Sequence, residues 1–250
     1  MRRRYHQQRL KVFGERGASL VETMVAAALG LIITAAALDV FVMHHGHFVA
    51  QRAKSEVQQD IRGGVNLMAA ELRLASSITS MRADEIRFRA NVNDVHGTVL
   101  VVAESGQANA RVTPNESWVR GKAVRFCGPD ACEDQILTHD GTSGHLALAG
   151  ILLHDFPVGS HVEVINEVRY YISRTLSTNW KLMREVDHGA NPLIEHVEEL
   201  SLSYVKDRRQ PAARSEDVRV IRLHIQTSGI DGHGGRFSRN HHQDMGVRAL

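Results

Sequence analysis

From Thr23 to Leu38 the chain carries no charged residue, and after Asp39 the apolar run resumes as far as Met43. A helix over residues 18–43 measures about 39 Å at the helical rise, more than a hydrocarbon layer of about 30 Å requires. Leucine, isoleucine, valine and alanine dominate this stretch, and no proline interrupts it. It opens on Gly17-Ala18-Ser19-Leu20-Val21-Glu22, which sets a glutamate just inside the span. A carboxylate in hydrocarbon is costly, so Glu22 is expected to be kept for a partner.

Two simpler readings of the span explain less. A secretory signal peptide is shorter, and no small-x-small cleavage site follows before His44-His45-Gly46-His47. A plain single-span anchor leaves Glu22 and Asp39 without a reason.

Charge divides the chain unevenly. Residues 1–17 hold Arg2, Arg3, Arg4, Arg9, Lys11 and Arg16 against Glu15, a local net of +5. The whole chain is +2, so residues 18–250 carry −3, and a nucleic-acid partner is not indicated. Basic residues ahead of an apolar span place residues 1–17 on the cytoplasmic side and the bulk of the chain outside. Membrane lipid is therefore an expected partner.

Past the span, Val49, Ala53, Val57, Ile61, Val65, Met68 and Leu72 recur at three- and four-residue steps, one stripe of an amphipathic helix. Arg52, Lys54, Glu56, Asp60, Arg62 and Glu71 fall mostly on the other face. The pattern predicts one helix from about Ser19 to Ser76, with Gly63-Gly64 expected to mark a bend.

After Ser76 short segments of high β-propensity take over. Expected strands cover Glu85–Ala90, Thr98–Ala103, Lys122–Cys127, Val162–Ser173, Trp180–Glu185, Val197–Val205 and Val218–Thr227. A β-rich region packed on the amphipathic half of a long helix makes an α+β fold. With 43% apolar and 23% charged residues, the chain can bury a core.

Cys127 and Cys132 flank the turn-forming Gly128-Pro129-Asp130, with no second cysteine pair. The spacing suits a small disulfide-closed loop in an oxidising compartment, with two free buried thiols as the alternative.

Few constellations invite chemistry. His44 and His45 are adjacent and diverge by about 100° on a helix. His44 and His47 share a face, but nothing nearby supplies a third ligand, so no metal is expected. Asp84, Asp94, Asp130, Asp134 and Asp140 are too scattered for a calcium loop. Glu198 and Glu199 are adjacent and point to opposite faces of a strand. Residues 231–242, with His233, His241 and His242, read as a glycine-rich connection before a last strand at 245–249, or as a contact loop. No phosphate cradle, nucleophile elbow or His-Glu-x-x-His pair occurs, so neither an enzyme nor a cofactor is expected.

Gly17-Ala18-Ser19-Leu20-Val21-Glu22, followed by Met24-Val25-Ala26, resembles the class III signal of type IV prepilins and type II secretion pseudopilins. That family's pattern is a glycine, a usually aromatic first mature residue, a small hydroxyl residue, two aliphatics and a glutamate. Ala18 stands where phenylalanine is usual, and the leader is longer than the shortest family leaders. The resemblance implies that prepilin peptidase cuts after Gly17 and that Ala18 becomes the methylated N-terminus. It also implies that Glu22 pairs with a neighbouring subunit's terminal amine.

A second likeness lies in the β region. Val168-Arg169-Tyr170-Tyr171-Ile172, then Trp180–Glu185, Pro192–Tyr204 and Val218–Leu223 are similar to minor pilins of the PilW type; residues 91–160 match nothing nameable. The resemblance implies a leader (1–17), a transmembrane and polymerisation half-helix (18–43), an amphipathic half (44–77) and a periplasmic β-rich domain (78–250). It implies a minor type IV pilin of the inner membrane and pilus tip, joining other minor and major pilins and the assembly platform. The related pseudopilin J of type II secretion is the alternative. An anchored periplasmic enzyme or receptor is the third reading, expected to keep its leader.

Overall fold

A computed structural model describes residues 19–174, 180–206, 210–230 and 235–247. They form one long helix followed by a large antiparallel sheet, an α+β arrangement. The chain divides into two compact units, residues 1–50 and 51–250.

Helix α1 covers Leu20–Arg73 and passes through Gly63-Gly64 without interruption. It ends before the expected Ser76, because Ala75-Ser76-Ser77-Ile78-Thr79 opens strand β1 (Ala75–Met81). In the unit 51–250 the stripe reads out as burial. Val57 is partly covered, while Ile61, Val65, Met68 and Leu72 are at most 3% exposed.

The hairpin partner of β1 is β2 (Glu85–Ala90), and β2 pairs in turn with β8 (His161–Ser173). Between β2 and β8 come β3 (His96–Val101), β4 (Asn109–Val112), β5 (Ala123–Cys127), β6 (Cys132–Ile136) and β7 (His145–Ala147). After β8 the chain meanders through β9 (Trp180–Val186), β10 (Gly189–Val205), β11 (Val220–Ile230) and β12 (Arg236–Gly246). The main path of the sheet runs β12-β11-β10-β9-β8-β3-β4-β7, and every named pairing is antiparallel.

Strand β8 serves two cores. Its second half sends Val168 and Tyr170 into the core shared with α1, β2, β10 and β11. Its first half sends Val162 and Val164 into another, built around Trp118, Phe126 and Phe156. The indole N–H of Trp118 donates to the Thr113 carbonyl at 3.0 Å, so burying this ring leaves no polar atom unpaired.

Three local features differ from the sequence expectation. Glu71 is not on the solvated face of α1. It is 5% exposed, accepts hydrogen bonds from Arg184 Nε at 3.0 and 3.1 Å and from the Tyr170 hydroxyl, and so ties the last turns of α1 to β8 and β9. Strand β10 begins at Gly189, well before Val197. A tight Asp187-His188 turn, both residues at positive φ, returns it from β9, and register shifts at Ile194 obscure its alternation. Pro192 sits where β10 pairs on one side only, the position at which proline's missing N–H is tolerated. Strand β12 fills residues 236–246, where a connection was expected, and pairs with β11 without a break. The expected connection at 231–234 and the end of the expected last strand lie outside the described residues.

Candidate functional site

Gly17 and Ala18 lie outside the described residues, so the described site begins at Ser19. Ser19 starts the helix. Its hydroxyl accepts from the Val21 N–H at 3.2 Å and its carbonyl from the Thr23 N–H at 3.1 Å, satisfying donors that a helix N-terminus otherwise leaves bare. Glu22 follows in the first turn, where the positive end of the helix dipole favours an anion.

Around Glu22 the surface is apolar and open. Leu20 is 78% exposed, Val21 66% and Met24 66%, and exposed apolar side chains continue through Leu29, Ile33, Leu38 and Phe41. The exposure extends all round the segment, so this is not one greasy stripe against a core. In length and composition it is a helix able to cross a membrane.

Polar side chains within the segment fall into two kinds. Thr23 donates to the Leu20 carbonyl at 2.9 Å and Thr34 to the Gly30 carbonyl at 2.8 Å, so both hydroxyls are satisfied by the helix itself. Glu22 and Asp39 have no such internal partner, and among the described residues neither meets a cation. Glu22 and Asp39 are therefore two carboxylates on an otherwise self-contained apolar surface.

Beyond the span, His44, His45 and His47 are exposed, and the His45 ring lies 6.2 Å from that of Phe41. Among the described residues no group of three or more His, Cys, Asp or Glu is placed to hold a metal ion. Three scattered aspartates have structural occupations. Asp134 pairs with Arg125 at 2.6 Å, Asp84 with Arg174 at 3.4 Å, and Asp140 accepts from the Arg120 N–H at 2.8 Å. Glu198 bonds Gln226 and Arg236, while Glu199 faces His224. Cys127 and Cys132 are disulfide-bonded register partners that close the β5–β6 hairpin.

Sequence reasoning singled out Glu22 from its setting, and it missed the Glu71–Arg184–Tyr170 cluster. A periodicity places Glu71 beside Leu72 without telling which neighbours arrive from sheet strands distant in sequence. Comparison with family models, with curated proteins and with solved structures finds no match for this chain.

Proposed function

We propose that this chain is a minor type IV pilin of the PilW kind, cut after Gly17 by prepilin peptidase, methylated at Ala18 and held in the inner membrane. There it joins other minor and major pilins on the assembly platform, in a complex that primes the pilus or caps its tip. One observation carries the reading: Glu22 stands unpaired among the described residues in the first turn of an all-round exposed apolar helix, five positions after Gly17. A terminal amine from a neighbouring subunit is the cation that this carboxylate lacks, and pairing removes its burial cost. The mechanism is association: apolar helices pack together, and the β-rich units stay in water on the periplasmic side.

The decisive experiment joins mass and phenotype. Intact mass of the membrane-extracted protein is expected to show loss of residues 1–17 and one added methyl group. Glu22→Ala is expected to keep that mass change but to lose incorporation into pili, read by immunoblot of sheared filaments. Normal incorporation of the Glu22→Ala chain would sink the role given to the carboxylate. An unprocessed leader would sink the family reading.

The long helix and terminal strands also suit the J-type pseudopilin of type II secretion. Deletion separates the two machines: loss of surface pili supports the pilin, whereas retained pili with lost secretion of folded exoproteins supports the pseudopilin.

A further inference from the structure

The register of β11 on β12 sets His224 directly opposite His242. Their rings lie 12° from parallel with centroids 4.3 Å apart. Both project from the outer face of the hairpin, since Leu223, Ile225 and Met245 fill the buried side. His241 is turned the other way, toward Gln243.

Two imidazoles stacked across paired strands are near enough to share one ion. Two metal–nitrogen bonds of about 2.0 Å meeting near a right angle need nitrogens roughly 3 Å apart. With centroids 4.3 Å apart, the two rings reach that separation by tilting out of their stack so that their in-plane lone pairs converge, a rearrangement that binding would drive. The surroundings suit a cation as well. Glu199 Oε1 stands 3.9 Å from Nδ1 of His224, the side on which metal-bound histidines commonly pass their remaining N–H to a carboxylate. That leaves Nε2 as the ligand atom. One step along the same face, Arg222 is paired with Asp244 at 2.9 Å, so its charge is already answered. In the other direction the opposed pair is Gln226 and Asn240, both neutral.

We infer that His224 and His242 form a two-nitrogen clamp for a divalent cation from the copper end of the first transition series. Water completes the coordination, and Glu199 orients His224. Two imidazoles with open positions suit the tetragonal nitrogen and oxygen geometry of the cupric ion, which also heads the affinity order of the series. The clamp pins the edge strand β12 to β11 and binds the folded chain in preference to the unfolded one.

Titration of the full chain in detergent micelles with cupric sulfate tests this. One equivalent is expected to give an electron paramagnetic resonance spectrum split by two nitrogens. His224→Ala and His242→Ala are each expected to abolish the two-nitrogen pattern. Glu199→Gln should keep the pattern but weaken binding about tenfold. His242→Asn retains a planar polar group on the strand and guards against a folding defect, and it too must lose the pattern. The double variant His44→Ala, His47→Ala should leave it unchanged. A two-nitrogen spectrum that survives in both His224→Ala and His242→Asn would overturn the assignment, as would its loss in the His44, His47 double variant.

Discussion

Two neighbouring glycines in α1 face opposite demands. A Cβ built on Gly64 would sit 2.6 Å from Cγ1 and 2.8 Å from Cδ1 of Ile194, which is 2% exposed and has little room to yield. A Cβ on Gly63 meets nothing within 4 Å. Alanine is favoured over glycine in a helix by about 1 kcal/mol, so Gly63→Ala is expected to stabilise the protein by up to that amount. Gly64→Ala should instead destabilise it by about 1–3 kcal/mol, because overpacking against Ile194 outweighs the helical preference. Denaturant midpoints of the two variants test the opposite signs. The sequence offered the pair as a bend signal. It held no hint that β10 approaches one glycine and leaves the other bare, since Ile194 lies far along the chain.

Elements were legible in proportion to the length of their pattern. The stripe from Val57 to Leu72 spans several turns and gave α1 nearly complete, and β2 matches its expected residues from Glu85 to Ala90. Strands β4, β6 and β7 are only 4, 5 and 3 residues long, too short for an alternation to declare itself. Strand β12 is long but mostly polar, and its identity depends on the ladder with β11. The β5–β6 hairpin was half-legible: its turn and cysteines were visible, its second strand was not. Closing a loop this small withholds little entropy from the unfolded chain, so the disulfide contributes about 2 kcal/mol. Replacing both Cys127 and Cys132 by serine is expected to lower the unfolding free energy by that amount, measured in denaturant without reductant. The α1 packing, distant from this hairpin, should be unaffected.

For the molecule as a whole, the function proposed above rests on a few residues near the N-terminus, whereas how the fold holds together rests on pairings that no local pattern announces. Three carboxylates illustrate the second point. Burial alone would raise the carboxyl pKa of Glu85, but Arg169 and Arg87 hold it below its ordinary value. Burial would likewise raise Asp187, which Lys122, Asn166 and the Glu167 N–H pull down. Glu133 is lowered against burial by the Leu153 N–H, Gln135 and His154. A carboxylate depressed in the folded state stabilises it above the unfolded value of about 4, and loses that contribution as pH falls through the folded value. The denaturant midpoint of the protein is therefore expected to hold from pH 7 to about pH 5 and to drop toward pH 3. An unchanged midpoint at pH 3 would contradict these assignments.

The ladder between β2 and β8 runs from Glu85 opposite Tyr171 to Ala90 opposite Asn166. The chain therefore departs and returns at neighbouring points, and residues 91–165 form a detour between two anchored ends. That detour closes on its own apolar centre with the first half of β8, without drawing a residue from α1. Its outer contour can be lengthened, trimmed or resurfaced while the ends that bracket it stay in place. The stretch that resembled nothing in sequence thus meets the helix-bearing half at particular points, Val92 against its core and Lys122 on Asp187 among them, and these are what a replacement has to keep.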